Sequence, residues 1–237
     1  MFTIEAKEPL EAWLKALELI ECRGQQIGLL TRIASIRVMS KEEMAIYDGS
    51  SFSEFEASVF GAADAIFPDW SVHKRLSTKE FFKKFSPCYL PHKSGKWGSY
   101  YQSLTDLEGF NQLDHAITSL CGWGKRARSA FTFHMTPAKM HKPKPLGNPC
   151  LQYMAIVRDD EDRLNLIMTY RAHEFSVRAL GNYVGASRLL SFICHHTNHK
   201  PGGITCLSGF AFAEGKRSQV QQLITLARRN INAGQTD

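Results

Sequence analysis

The stretch LQYMAIVRDDEDRLNLIMTY, residues 151–170, decides the fold. Two runs rich in apolar and β-branched residues, 151–157 and 163–170, flank the acidic turn Asp159-Asp160-Glu161-Asp162, the pattern of a β-hairpin. Beyond it, Asn182 to Thr197 carries Val184, Leu189, Leu190, Phe192 and Ile193 and predicts a buried helix. Pro201-Gly202-Gly203 predicts a break, followed by a short strand over Ile204 to Leu207 and a helix from about Ser218 to Arg228. A hairpin followed by alternating helix and strand predicts an α+β protein with a mixed sheet flanked by helices.

Upstream, Leu10, Trp13, Leu14, Leu17 and Ile20 recur at helical spacing behind Pro9, a residue suited to a first helical turn. Residues 27–38 read as strand, and helices are expected near 53–66 and 77–85. A Lys/Gly/Ser/Tyr-rich loop covers 92–101. The helix from Gln112 to Leu120 ends in the basic turn Gly122-Trp123-Gly124-Lys125-Arg126-Ala127-Arg128, and Phe131, Phe133 and Met135 alternate like a strand. Residues 136–149 are proline-rich and basic, too irregular for helix or strand, which makes them the expected functional loop. No repeat or low-complexity tract divides the chain, so residues 1–237 are read as a single domain.

At 26.8 kDa, with a formal charge of +6 and an isoelectric point near 9.0, the chain favours anionic partners without choosing among them. Net charge is also the sole support for an RNA-binding reading, so nucleic acid is not the expected partner. No apolar run approaches the roughly 20 residues of a membrane span, and the first residues carry Glu5 and Glu8 where a signal peptide needs a basic and then apolar segment. The 6 cysteines form no CxxC pair. The expectation is a soluble, reduced, cytoplasmic protein.

Cys150 is the first chemical candidate: it follows Asn148-Pro149 at the end of the basic loop and precedes a strand. A nucleophilic thiol needs exposure and nearby positive charge, and Lys142, Lys144 and the arginines can supply the charge. The competing reading is a small apolar residue at a strand start. His195 and His199 share a helix face, yet no glutamate follows the first histidine and no third ligand is evident, so no metal site is predicted. The Lys125-Arg126-Ala127-Arg128 turn can bind phosphate bidentately or remain a solvated turn.

In order and spacing these features resemble the thymidylate synthase and pyrimidine nucleotide hydroxymethylase family. That family shows a Pro-Cys loop, a hairpin, an Arg-Ser-x-Asp segment, and an asparagine opening a long buried helix. This sequence has Pro149-Cys150, the hairpin, Arg171-Ala172-His173-Glu174, and Asn182 opening the helix that leads to Lys200-Pro201-Gly202. The likeness runs without a gap from Arg171 to Gly209. Asn111-Gln112-Leu113 resembles the family's Asp-Gln-Ile/Leu helix, Arg126 and Arg128 sit at its paired arginines, and Arg23-Gly24 resembles its Arg-Thr-Gly turn. Residues 98–225 carry most of the likeness, residues 10–35 a weaker part, and residues 40–95 almost none.

The resemblance implies a homodimer in which Cys150 attacks C6 of a pyrimidine nucleotide and C5 takes a one-carbon unit from 5,10-methylenetetrahydrofolate, giving a methyl or hydroxymethyl product. It implies that Arg23 and Arg171, with Arg126 and Arg128 from the neighbouring subunit, bind the nucleotide. Asn182 reads the base edge, with uracil preferred, and Glu174 stands in for the aspartate on the pterin. The sequence departs from the family at Leu151 (histidine), Ala155 (glutamine), Ala172 (serine), and at Phe212 and Glu214 (the His-x-Tyr pair that holds the ribose). The Glu-Leu-Leu-Trp helix has no equivalent, with Glu54 and Glu56 the nearest substitutes. These changes point away from housekeeping thymidylate synthesis, and a catalytically degenerate nucleotide-binding or regulatory homologue is the alternative.

Overall fold

A computed structural model describes residues 1–24, 26–36, 53–85, 99–123, 131–136 and 148–233; for 53–58, 123, 230, 232 and 233 it describes the backbone alone. The elements are β1 (Phe2–Ala6), α1 (Pro9–Arg23), β2 (Ile27–Ile33), α2 (Ser53–Ile66), α3 (Thr78–Phe85), α4 (Tyr100–Thr105) and α5 (Gln112–Trp123). They continue with β3 (Phe131–His134), β4 (Leu151–Arg158), β5 (Arg163–Tyr170), β6 (His173–Glu174), α6 (Ala179–Thr197), β7 (Lys200–Phe212) and α7 (Arg217–Ala233). Pro9 starts α1, and Gly24, at φ 62°, ends it by donating its N–H to the Ile20 and Glu21 carbonyls.

The strands form one mixed sheet in the order β1-β2-β7-β5-β4-β3, with β6 continuing alongside the end of β7. The pairs β1–β2, β5–β7 and β6–β7 are parallel, and β2–β7, β3–β4 and β4–β5 are antiparallel. The mixed α+β architecture and the hairpin therefore stand as the sequence predicts. Side chains alternate across the sheet. Ile4, Leu29, Ile33, Met154, Leu164, Leu166, Met168, Ile204 and Cys206 are buried with the helical layer, whereas Leu30, Ile167, Thr205 and Leu207 on the other face are half-buried.

Helix α6 is the spine of the helical layer. It buries Val184, Leu189, Leu190, Phe192 and Ile193, and it lies so close to α2 that a Cβ on Gly181 would stand 2.1 Å from the Val59 carbonyl oxygen. One on Gly185 would stand 2.4 Å from that of Ala63. Side chains there would drive the two backbones apart. Arg188, also buried, reaches across to Asp64 at 2.8 Å, and Trp70 donates its indole N–H to the Arg188 carbonyl at 3.1 Å.

Four expectations need correction. Strand β1 precedes α1, where no element was predicted. Tyr100 and Tyr101, assigned to the end of the 92–101 loop, instead open helix α4, capped by Ser99 accepting the Gln102 N–H at 3.1 Å. Helix α6 starts at Ala179, so Asn182 lies inside its first turn rather than at its opening. Pro201-Gly202-Gly203 does not break the chain into a short strand. It belongs to β7, where the register against β5 shifts and the glycines admit the Asn165 side chain and the Ile33 carbonyl at close range.

Candidate functional site

The start of β4, the end of β5, the end of β7 and the first turn of α6 meet at one end of the sheet. Leu151 pairs with Tyr170, Tyr170 with Ser208, and His173 with Ala211, which also pairs with Ile27 at the start of β2. Next to Cys150 the β4–β5 register slips by one residue between Leu151 and Tyr153. Bulges of this kind re-aim side chains where pairing ends. Cys150 itself is half-buried, a free thiol whose carbonyl accepts the Arg171 N–H at 2.8 Å. The position joins a partly accessible thiol to the first residues after β5, and the strand-start reading of Cys150 is compatible with it.

Three groups beside Cys150 were not singled out from the sequence. Tyr100, from α4, accepts the Leu151 N–H at 3.2 Å; burial pushes its phenol up to about 12 and Arg178 counters it. Arg178 is exposed, which places a second arginine on the Tyr100 side of the thiol. Tyr170 is buried, its hydroxyl has no hydrogen-bond partner among the described residues, and burial together with Tyr100, Cys206, Tyr183 and Cys150 drives its pKa far above the ordinary phenol value. A buried orphan hydroxyl is uncommon and marks a place where a ligand or water belongs. No local sequence pattern announces these residues, because each reaches Cys150 through long-range pairing or packing.

Tyr170 stacks on His173 with ring centroids 3.9 Å apart and planes 3° apart. The His173 Nε2 faces the Asn182 Nδ2 at 3.2 Å and its Nδ1 faces the Ser208 Oγ at 2.9 Å, with the Cys206 Sγ at 3.9 Å. Burial holds the imidazole neutral, with a pKa of about 3, and pushes the Cys206 thiol up to about 12. Asn182 is thereby tied by direct contacts through His173 and Tyr170 to the β4–β5 end that bears Cys150.

Arg171 is exposed and reaches the Asn148 carbonyl at 3.5 Å, so its guanidinium lies over the residue two before Cys150. Arg23, at the end of α1, stands over the Phe2 ring at 4.7 Å, on the same end of the sheet through β2. Arg126 and Arg128 lie outside the described residues, as do Lys142, Lys144 and positions 137–147 of the 136–149 loop. Glu174 is spent largely on its own turn: its carboxylate accepts the Ser176 N–H at 2.6 Å, the Ser176 hydroxyl, the Val177 N–H at 2.9 Å and the Glu214 N–H at 3.3 Å. Among the described residues one acceptor position remains on Oε2.

His195 and His199 do not share a helix face, because α6 ends at Thr197 with Asn198 in the left-handed region, and both side chains serve the fold. His195 Nε2 meets the Lys74 carbonyl at 3.0 Å, His199 Nδ1 meets the Thr197 hydroxyl at 2.9 Å, and His196 packs edge-on to Phe192. Among the described residues no group of three or more potential metal ligands occurs, and no helix is long and apolar enough to cross a membrane. No protein-family model matches the chain, and no curated protein matches its sequence.

Proposed function

We propose that the protein transfers a one-carbon unit from 5,10-methylenetetrahydrofolate to C5 of a pyrimidine nucleotide, with a uridine nucleotide preferred. One observation carries the reading: a half-buried thiol, an exposed arginine and a buried amide sit at one end of one sheet, bound to one another through the Cys150–Arg171 backbone link and the Tyr170–His173–Asn182 contacts. In this role the Cys150 sulfur bonds to C6 of the base, and the C5–C6 π pair moves to C5, making it a carbon nucleophile. Arg171, with Arg23 and with Arg126 and Arg128 of the neighbouring subunit, pairs with the phosphate. Asn182 pairs with the base edge, and Glu174 offers its one remaining acceptor to the folate. The folate supplies the one-carbon unit when bound.

Tritium release from C5-labelled dUMP, UMP, dCMP and CMP with methylenetetrahydrofolate tests the activity: release from one of them is expected, and release from none would sink it. Leu151, Ala155, Ala172 and Phe212 favour a second reading, a nucleotide-binding or regulatory homologue without turnover. Covalent trapping of Cys150 by a 5-fluoropyrimidine nucleotide excludes that one.

The same reading includes a homodimer built on the open sheet face, where Leu30 pairs with Leu207 and Ile167 with Thr205. Of the apolar residues expected on this face, Phe133, Met135 and Leu166 are fully buried within the subunit and Phe131 packs against the same core, so Ile167 remains. A half-exposed apolar centre on an otherwise polar sheet face suits an isologous contact. Mixing a Cys150→Ala chain with an Arg126→Ala/Arg128→Ala chain restores part of the activity if the sites are shared; sedimentation showing monomer alone at micromolar concentration refutes the dimer.

A further inference from the structure

His173 forms no bond with substrate in the scheme above, yet both of its ring nitrogens are committed. The ring cannot swing: it is 1% exposed, stacked on Tyr170, with Phe175 at 4.8 Å and Tyr183 edge-on at 5.8 Å between centroids. A primary amide nitrogen donates and does not accept, so the Asn182 Nδ2 at 3.2 Å requires a lone pair on the His173 Nε2. The ring proton is therefore on Nδ1, where the Ser208 Oγ accepts it at 2.9 Å. Burial, which lowers the imidazole pKa to about 3, keeps a second proton off Nε2 at neutral pH.

This pattern gives the Asn182 amide one orientation. Turned by half a rotation, its Oδ1 would face the Nε2 lone pair, two acceptors in contact in a site that excludes water. We propose that His173 is a specificity-determining positioning residue, which holds the Asn182 amide in the one sense that reads a uracil edge and refuses the cytosine edge. The inference rests on the reading of Asn182 as the base-contacting residue. Uracil offers N3–H as donor beside O4 as acceptor, and cytosine offers the reverse pattern. A freely rotating amide satisfies either by flipping; a locked amide satisfies one. Ser208 completes the lock by turning its hydroxyl proton to the Cys206 Sγ, 3.9 Å away, which leaves its oxygen to accept the Nδ1–H.

The test has two separable parts. Long-range proton–nitrogen NMR of the unliganded protein is expected to show the His173 proton on Nδ1, and a proton on Nε2 overturns the lock whatever the ligand does. Calorimetric titration with UMP, dUMP, CMP and dCMP then reads the preference, expected at about 10- to 100-fold for the uridine nucleotides. His173→Gln, whose side-chain oxygen can take the place of Nε2, keeps that preference. His173→Phe keeps the stack on Tyr170, removes the acceptor, and brings the two bases within about threefold of each other. An unchanged preference in a folded His173→Phe protein overturns the lock while leaving Asn182 as the reader; failure of the wild type to bind any of the four nucleotides overturns both. Should His173→Phe not fold, Ser208→Ala replaces it, with the same loss of preference expected and the same retention refuting.

Discussion

The two ends of the β4–β5 hairpin use polar groups in opposite ways. At the turn, Asp159 accepts the Glu161 and Arg163 N–H groups at 3.1 and 2.9 Å, the Arg163 guanidinium at 2.9 Å and the Asn165 amide at 3.1 Å. Arg158 pairs with Asp162, and Asn165 passes the network on by accepting the Gly203 N–H at 2.8 Å. Every lone pair of that carboxylate is spent on shape. At the open end the Tyr170 hydroxyl is buried without a partner among the described residues, Arg171 is exposed, and the Cys150 thiol is half-buried. Polarity that the fold does not consume at this end is what the proposed site would draw on.

The contrast predicts that changes at the open end alter chemistry and changes at the turn alter stability. The largest effect is expected from Cys150→Ser, which should lower C5 tritium release by at least about 10³-fold with no shift in the thermal melting curve. A stability defect without an activity defect would move Cys150 to the structural side. Gly181→Ala cuts across the contrast, because it lies one residue from Asn182 yet acts by forcing α6 off α2. Urea denaturation should show a loss of about 3 kcal/mol, whereas Gly61→Ala on the exposed side of α2, with nothing within 4 Å of its Cβ position, should gain about 0.5–1 kcal/mol.

Asp159→Ala should cost about 1–2 kcal/mol and leave nucleotide affinity unchanged. Desolvation opposes ionisation of Asp159, but the Arg163 N–H, the Asn165 amide and the Arg163 guanidinium outweigh it and hold the pKa at about 2. The folded pKa is depressed, so this stabilisation is full above about pH 4 and is lost as pH falls toward 2. Urea midpoints of wild type and variant should therefore converge in strong acid. His173 works in the same direction for the opposite reason: burial lowers its pKa from 6.5 to about 3, so the unfolded chain binds a proton that the folded chain refuses. Below pH 6.5 the protein should lose up to about 1.4 kcal/mol per pH unit to this group. His196, also lowered by burial, adds to the slope, and the difference between wild type and His173→Gln isolates His173. The smallest effect belongs to Tyr170→Phe, which should raise stability by up to about 1 kcal/mol while slowing turnover. Equal turnover would show that its hydroxyl meets no ligand.

The hairpin, α1 and the body of α6 were legible because each is written in local periodicity, with Pro9 and the Asp159–Asp162 turn as punctuation. Strand β1 was legible in principle, since Phe2, Ile4 and Ala6 alternate with Thr3 and Glu5, but the run is only five residues long and its pairing with Leu29 to Ile33 is what makes it a strand. The glycines of β7 read as a break, since their reason lies in Asn165 and Ile33, far away in the chain. In the candidate site, Cys150, Arg171 and Asn182 were proposed from a resemblance in order and spacing, whereas Tyr100, Tyr170, Arg178 and the His173–Ser208 link were not. Their proximity depends on sheet register, which no local pattern encodes. Glu174 shows the converse: its residue type suggested a ligand contact, and the turn claims most of its acceptors.

Strand β7 also sets a timetable. It is the shared partner of β2, β5 and β6, yet it follows all three in the chain. Strands β3, β4 and β5 can pair as they emerge, while among the described strands β1 and β2 have no neighbour but each other until β7 has been made. During synthesis the N-terminal pair must wait with an unsatisfied edge for some 170 residues, the gap from β2 to β7. The amino-terminal part of the sheet is thus the last to lock. Chains stalled before β7 would expose the Leu29–Ile33 edge to chaperones and to one another.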